Sequence, residues 1–390
     1  MAKAVILSAA RTAVATARKG SLVNTTAETL GLTVLQAAIA RAGLSPDQVG
    51  DIVFAESLYG GGAVARHAAV EAGMLQVAGM ALNRHCAGSL TATGVAASAV
   101  LSGMEDVVIA GGVQSSSTAP QLRWRNPRTN EVEDFWSPPT HPANDRAPNR
   151  DMSITVGWNT AQAAGIGRAE MDAWALRSHQ RAVAAIDGGR FVDEIVPVTA
   201  TAADGSTFTF QVDEHPRRDS SAEKLASLKP IHPEIEGFSI TPGNSSGVND
   251  AASALAITTD AHAGTLGLKP IATIHGWAAI GIDPYYTGMA VIDVVGKLMA
   301  RTGRDAGSVA LWEINEAFAS VPIAACKALG LDEGTVNISG SGCSIGHPVA
   351  ASGGRMLATL INDLRRRGGG LGVATMCAGG GQAGAVLIEV

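Results

Sequence analysis

Apolar and polar positions in the first 112 residues alternate between two spacings. Short apolar runs predict strands at 4–8, 51–55, 80–83 and 107–110, and helical periodicity predicts helices at 27–42, 63–72 and 90–101. Strands that alternate with helices are typical of an α/β domain in which a mostly parallel sheet is covered on both faces.

The last third of the chain repeats this alternation. Apolar runs predict strands at 254–258, 271–277, 309–314, 335–338, 372–376 and 385–390, and helical spacing predicts helices at 290–301, 317–329 and 350–366. The repetition predicts two related α/β halves. The first half covers residues 1–118 and is completed by about 248–268, and the second covers 269–390.

Residues 119–247 differ from both halves in composition. Proline, arginine, aspartate and tryptophan accumulate there, and the one long periodic element is a helix predicted at 168–186. We expect a smaller inserted domain that covers a ligand, because binding groups tend to lie on segments carried by a rigid scaffold. A purely structural cap is the alternative.

Charge and composition exclude several classes of partner. The net charge is −6 and the basic residues are scattered, so neither nucleic acid nor an anionic membrane is an expected partner. No apolar run reaches the roughly 18 residues of a membrane span, and the N-terminus does not resemble a signal peptide. The cytoplasm is the expected compartment.

The four cysteines do not form a disulfide framework or a Cys-x-x-Cys pair. Cys343 and His347 are close in sequence, but a zinc site needs further ligands, and none is clustered nearby. We therefore expect no metal.

Three of the reactive side chains lie next to small residues. Cys86 follows a predicted strand and precedes a helix, where the partial positive charge of a helix N-terminus would stabilise a thiolate. Cys377 begins Cys-Ala-Gly-Gly-Gly after another strand, and His347 lies in Gly-His-Pro. Two cysteines and a histidine among glycines indicate covalent acyl chemistry. Taken singly, each has an ordinary alternative, since a cysteine at a strand end is more often a buried packing residue.

Two further segments carry polar groups that could meet a ligand. Asn315 follows a predicted strand, at the end where open α/β sheets bind ligands, although it could equally cap a helix. Residues 243–247 read Gly-Asn-Ser-Ser-Gly, a turn-forming run with exposed amides.

These motifs occur together and in order, and in this the whole chain resembles the thiolase family of CoA-dependent acyltransferases. The resemblance rests on the segment around Cys86, Gly-Asn-Ser-Ser-Gly, Asn-Glu-Ala-Phe, Gly-His-Pro and Cys-Ala-Gly-Gly-Gly. It implies a five-layer α-β-α-β-α sandwich of two halves, with an inserted loop domain that holds much of the CoA. It also implies a homodimer or homotetramer.

The resemblance assigns a role to each site residue. Cys86 would be the acylated nucleophile, His347 the base that activates it, and Cys377 the acid/base at the α-carbon of the acetyl unit. Asn315, through a water, would join His347 in one oxyanion hole, and the N–H groups of Cys86 and Gly379 would form the other. Ser246 and Arg217 would contact CoA, which is a substrate; no permanently bound cofactor is expected.

The implied activity is cleavage of a 3-ketoacyl-CoA with CoA, as in β-oxidation, or the reverse Claisen condensation. A ketoacyl synthase is the first alternative, but that class uses a Cys-His-His set, and Asn315 and Cys377 argue against it. A lipid-binding relative without catalysis is the second, and the four filled catalytic positions argue against it.

Some segments depart from the family pattern. The usual Met-Gly-x-Thr-Ala-Glu reads Gly-Trp-Asn-Thr-Ala-Gln at 157–162. Trp124, Trp136 and Trp158 lie in this inserted region and could line a broad apolar pocket. We therefore predict an acyl group larger than acetoacetyl, with packing or subunit contacts as the alternative role for the tryptophans.

Overall fold

The computed structural model describes residues 2–57, 63–135, 140–202 and 204–390. The helices are α1 (Ala27–Ala42), α2 (Val64–Glu71), α3 (Gly88–Ser102), α4 (Asn159–Ala163), α5 (Arg168–Asp187), α6 (Ala222–Ala226), α7 (Asp260–Thr265), α8 (Ala290–Thr302), α9 (Ser320–Leu329) and α10 (Ser352–Arg366). The strands are β1 (Ala4–Thr12), β2 (Ala15–Thr16), β3 (Asp51–Glu56), β4 (Ala78–Leu82), β5 (Val107–Gln114), β6 (Leu122–Arg125), β7 (Val132–Phe135), β8 (Ile195–Val196), β9 (Val198–Thr201), β10 (Thr207–Phe210), β11 (Asn249–Thr259), β12 (Ala272–Gly281), β13 (Leu311–Ile314), β14 (Leu371–Ala378) and β15 (Gln382–Glu389).

One hydrogen-bonded sheet runs through both halves of the molecule. Its strand order is β13-β14-β15-β12-β1-β11-β5-β3-β4. The two halves meet where Ala4, Val5 and Ile6 of β1 pair with β12. Strand β11, which follows the inserted region in sequence, returns to lie between β1 and β5.

The sheet is mixed, so the expectation of a mostly parallel sheet was wrong. The β3–β4, β3–β5 and β13–β14 pairs are parallel, as alternating strands and helices predict. The β1–β11, β11–β5, β12–β15 and β14–β15 pairs are antiparallel. The difference arises because β11 enters from the inserted region in the opposite direction, and because only three residues of tight turn join β14 to β15.

Helices α3 and α10 form a central layer between the strands of the two halves. Helix α3 packs on β3, β5, β11 and β12, and α10 packs on strands of both halves. The two helices are joined where the Ser89 hydroxyl accepts the N–H of Gly354 at 3.0 Å. Helices α1 and α2 cover the outer face of the first half, and α8 covers that of the second. The result is the five-layer α-β-α-β-α arrangement.

A buried arginine attaches the inserted region to β1. The Arg11 side chain is fully buried, and its guanidinium lies 2.7 Å from a carboxylate oxygen of Glu194 and 2.8 Å from one of Asp213. Hairpins β6–β7 and β9–β10 also belong to this region, and their polar sequences did not predict strands.

The predicted strand at 335–338 does not form. A short helical turn, Glu333–Thr335, stands there, followed by one isolated bridge between Trp312 and Val336. The reason is Asn337, which has a φ of 51°. Its side chain accepts the N–H of Ile314 at 2.8 Å and donates to the carbonyl of Ile314 at 2.8 Å, so the amide takes the place of a strand neighbour.

Candidate active site

Cys86 lies in a single helical turn, His85–Ala87, between β4 and α3. The predicted position near a helix N-terminus is therefore confirmed. The predicted thiolate is not confirmed, because burial raises the pKa of the Cys86 thiol to about 11. The resting side chain is a neutral thiol at physiological pH, since the cost of burying a charge outweighs the helix dipole.

The glycine loop after Cys377 reaches the Cys86 sulfur. The backbone N–H groups of Cys86 and Gly379 lie near Cys86 Sγ, and each lowers the pKa of the thiol against the effect of burial. The turn needs glycine at Gly381, which has a φ of 74° and where a Cβ would lie 2.2 Å from the carbonyl oxygen of Ile282. The structure thus brings together two segments that are nearly three hundred residues apart in the sequence.

Cys377 lies near the end of β14 and is fully enclosed. Its side chain is 2% exposed. Burial raises the pKa of the Cys377 thiol, and the neighbouring Cys86 sulfur raises it further. The two thiols therefore influence each other electrostatically, and both are protonated in the resting protein.

His347 is held by hydrogen bonds from two directions. Its backbone N–H donates to Asn249 Oδ1 at 2.9 Å, and its ring Nδ1 lies 2.6 Å from Ser352 Oγ. Gly346, with a φ of 108°, permits this arrangement because a Cβ there would lie 2.6 Å from the Asn249 amide.

These contacts fix the tautomer of the imidazole. The Ser352 hydroxyl donates to the carbonyl of Pro348 at 2.9 Å, so its oxygen accepts from the protonated Nδ1 of His347. Burial, together with the positive charge of Arg355, lowers the pKa of His347 to about 3. The ring is neutral, and the lone pair on Nε2 remains to accept a proton.

Asn315 follows β13 directly and is fully buried. Its backbone N–H donates to the carbonyl of Thr375 on β14 at 3.0 Å, and its side-chain nitrogen lies 3.4 Å from each ring nitrogen of His347. Among the residues that the structure describes, no group hydrogen-bonds to Asn315 Oδ1. A buried oxygen of this kind is a ready binding point for a water molecule.

A cleft of about 270 Å³ opens in the inserted region. Arg217 and Lys224 line it together with the rings of His179 and His215. The Arg217 side chain is exposed, and no described residue pairs with its guanidinium. Lys224 forms an ion pair with Asp219 at 2.6 Å.

The segment 243–249 connects this cleft to His347. Gly243 lines the cleft, the N–H of Ser246 donates to the carbonyl of Ala317 at 2.9 Å, and Val248 is bridged to His347. Ser246 is half-buried along this path and is not part of the cleft wall. The predicted CoA-contact residues therefore lie at the cleft, for Arg217, and on the chain segment between the cleft and His347, for Ser246.

The tryptophans supply no evidence for a broad acyl pocket. Trp124 is 42% exposed on the β6–β7 hairpin. The Trp158 ring packs against Phe238, with their centroids 5.2 Å apart. Trp136 lies outside the described residues. The size of the acyl group therefore remains a prediction that these side chains do not support.

Cys343 packs apart from any metal ligand set. Its N–H donates to Glu316 Oε2 at 3.1 Å, and its side chain is 1% exposed. In the described ranges no three His, Cys, Asp or Glu side chains are grouped so as to hold a metal ion. None of the described helices is long and apolar enough to cross a bilayer.

Sequence reasoning missed the two residues that hold His347. Asn249 follows the Gly-Asn-Ser-Ser-Gly run by two positions, and Ser352 opens α10 five residues after His347. A serine at the start of a helix reads as an ordinary cap, so only the folded arrangement reveals its contact with the imidazole.

Comparison with known proteins gives full-length matches. Residues 4–261 match the family model described as "Thiolase, N-terminal domain", and residues 268–390 match "Thiolase, C-terminal domain". An acetyl-CoA acetyltransferase of Chromobacterium violaceum is 36% identical over 98% of both chains. The beta-ketothiolase BktB of Cupriavidus necator is 37% identical over 99% of this chain and 98% of its own. A crystal structure of the Bacillus anthracis acetyl-CoA acetyltransferase superposes with a TM-score of 0.90 at 34% identity, covering 100% of this chain and 99% of that one.

Proposed function

The chain belongs to the thiolase family, and we propose that it cleaves 3-ketoacyl-CoA with CoA into acetyl-CoA and a shortened acyl-CoA, or catalyses the reverse condensation. The observation that carries the proposal is the packing of the end of β14 against the turn that carries Cys86, which brings the N–H of Gly379 and the thiol of Cys377 next to the Cys86 sulfur. One sulfur is thereby placed among hydrogen-bond donors, and a second thiol stands within its electrostatic reach.

In thiolysis the Cys86 sulfur adds to the 3-keto carbon while its proton passes to Nε2 of His347. The bond between carbons 2 and 3 then breaks, and its electron pair forms the enolate of acetyl-CoA. Cys377 donates its proton to carbon 2 and becomes a thiolate. In the second half, this thiolate takes the proton of the CoA thiol, whose sulfur attacks the acyl group. Cys86 leaves and recovers its proton from His347.

Both half-reactions develop negative charge on oxygen, and two sets of donors are available for it. The N–H groups of Cys86 and Gly379 would stabilise the tetrahedral oxyanion on the carbon bound to Cys86. Asn315 and His347 Nε2 would stabilise the enolate oxygen, Asn315 acting through a water molecule. The unpaired, buried Asn315 Oδ1 supports this role because such a water needs a fixed acceptor.

Recognition of CoA falls to the inserted region in this proposal. Arg217 lies at the cleft with a free guanidinium among the described residues, which suits a phosphate of the nucleotide end. The segment through Ser246 would guide the pantetheine arm from this cleft toward His347. CoA enters as a substrate and leaves as a product.

Several finer features belong to the same proposal. The chain would divide into a first half at 1–118 completed by about 248–268, an inserted CoA-binding domain at 119–247, and a second half at 269–390. The pairing of β11 between β1 and β5 supports this division. We also propose a homodimer or homotetramer that works in the cytoplasm in fatty-acid β-oxidation.

The test is the acylation of Cys86. Brief exposure of the wild-type protein to acetyl-CoA should give an acetyl adduct in the intact mass, and acetoacetyl-CoA with CoA should be cleaved. Cys86→Ala should lose both the adduct and turnover, by at least about a ten-thousandfold for turnover, because the covalent intermediate is removed.

Cys326→Ala is the matched control, because Cys326 is a buried cysteine of α9. It should keep the adduct and the activity. An adduct that persists in Cys86→Ala would assign the nucleophile to another residue and overturn the proposal.

A further inference from the structure

His85, the residue immediately before Cys86, has an unusual backbone conformation. Its φ is 45°, and it is one of four non-glycine residues in the described chain with a positive φ. Its N–H donates to Asn83 Oδ1 at 2.8 Å, which holds the turn in place. Histidine is among the residue types enriched at positive φ, and the conformation fixes the direction in which the His85 side chain leaves the backbone.

The His85 ring lies against the glycine loop that reaches Cys86. Its Cγ and Cδ2 atoms are 3.8 Å from the position that a Cβ on Gly379 would occupy. The methyl group of Thr140 lies 3.4 Å from the same position. His85 and Thr140 therefore flank Gly379, whose N–H lies near Cys86 Sγ.

The His85 ring has unused hydrogen-bonding capacity. It is half-buried, and within the described ranges neither ring nitrogen has a hydrogen-bond partner. Burial lowers the pKa of His85, with no acidic neighbour to raise it, so the ring is neutral and offers one donor and one acceptor. Water can bind these nitrogens in the free protein, but a substrate that displaces the water has to supply a hydrogen-bond partner in its place.

An acyl group on Cys86 would begin beside the His85 ring, because the ring lies against the loop that carries Gly379. Its thioester oxygen would be directed at the N–H groups of Cys86 and Gly379, which fixes the start of the chain between the two loops. Because His85 directly precedes Cys86 and its ring lies beside Gly379, the imidazole would meet only the first few carbons beyond the thioester.

We propose that His85 is a specificity-determining residue that hydrogen-bonds an uncharged oxygen substituent, a hydroxyl or a carbonyl, on the first carbons of the acyl group carried by Cys86. The preferred substrates are 3-ketoacyl-CoA thioesters with a second oxygen function close to the cleavage point. This inference rests on the proposed thiolase activity and names its substrate class.

The experiment compares two substrates that differ by one hydroxyl group, 3-keto-5-hydroxyhexanoyl-CoA and 3-ketohexanoyl-CoA. For the wild-type protein, kcat/KM for thiolysis should be about tenfold higher with the hydroxylated substrate, as one added hydrogen bond would give. His85→Leu should bring the ratio to about one. His85→Asn, which keeps a donor and an acceptor and tolerates a positive φ, should retain part of the preference.

The ratio is measured within each variant, so a general loss of activity cancels. If His85→Leu does not fold, His85→Gly removes the ring and also relieves the backbone, and it should show the same loss of preference. A wild-type ratio near one, or a ratio unchanged by removing the ring, overturns the proposal. Failure of the wild-type protein to cleave acetoacetyl-CoA as well as both of these substrates would instead overturn the thiolase function itself.

Discussion

The site around Cys86 and the cleft of the inserted region differ in burial and in charge. Asn315, His347 and Cys377 are buried, and backbone groups of the scaffold or buried side chains hold the first two. Arg217 and Lys224 at the cleft are exposed, and the ion pair of Lys224 is open to solvent. Groups that move protons are thus fixed within the core, and groups suited to phosphates remain accessible.

Burial also separates the two regions electrostatically. It raises the pKa of Cys86 to about 11 and lowers that of His347 to about 3, so both are neutral at pH 7. Charge arises in this site only during the reaction, where preorganised donors act most strongly. The cleft, in contrast, keeps permanent charges that salt can screen.

Among the changes that test the difference between the buried site and the exposed cleft, removal of the Cys377 thiol should have the largest effect. Cys377→Ala should still be acylated at Cys86 by acetyl-CoA, but thiolysis and condensation should fall by about a thousandfold, because no group remains to move the proton at carbon 2. Intact mass and steady-state turnover measure the two effects separately.

Cys326→Ala serves again as the control for removing a buried thiol. Should Cys377→Ala keep near-normal turnover, the acid/base role would belong to another residue. Simultaneous loss of acylation would show that Cys377 also supports the Cys86 position, since the two sulfurs interact.

Much of the scaffold could be predicted from the sequence because local periodicity is strong there. The predicted helix at 27–42 matches α1 in full, and that at 168–186 is one residue shorter than α5. The predicted strand at 51–55 likewise lacks one residue of β3. The resemblance to the family rests on short motifs, most of which lie at glycine turns.

Long-range contacts could not be predicted in the same way. Arg11 reads as a surface residue after a strand, yet it is buried against Glu194 and Asp213, which lie far along the chain. The neutral state of Cys86 was missed for a related reason. The sequence indicates a helix N-terminus, but the burial that outweighs it comes from distant segments.

The neutral resting state of Cys86 gives a second, smaller effect that can be measured. With a pKa of about 11, about a thousandth of the thiol is ionised at pH 8, compared with about a quarter for a free cysteine of pKa ~8.5. Alkylation of Cys86 by iodoacetamide should therefore be about two-hundredfold slower than that of a small reference thiol. It should rise about tenfold per pH unit from pH 7 to 10.

No inflection is expected near pH 6.5, because His347, with its pKa lowered to about 3, does not titrate there. Peptide mapping assigns the modification to Cys86. A rate that is already constant above pH 7 would indicate a thiolate paired with an imidazolium, and the neutral description of the site would be wrong.

The exposed cleft should show the smallest effect and the greatest sensitivity to salt. Arg217→Ala should raise KM for CoA by about tenfold and leave kcat nearly unchanged, because it removes a contact made equally in the ground state and the transition state. Because Arg217 is exposed, its removal should cost less binding free energy for CoA than the removal of one partner of a buried charge pair.

Arg218→Ala is the matched control, since Arg218 is also exposed and pairs with Asp187 at 2.6 Å. If Arg217 binds a phosphate of CoA at the exposed cleft, the effect of Arg217→Ala on KM should shrink as the ionic strength rises. The loss of turnover in Cys377→Ala, at the buried site, should not change with salt. Equal KM values for Arg217→Ala, Arg218→Ala and the wild type would place CoA recognition outside this cleft.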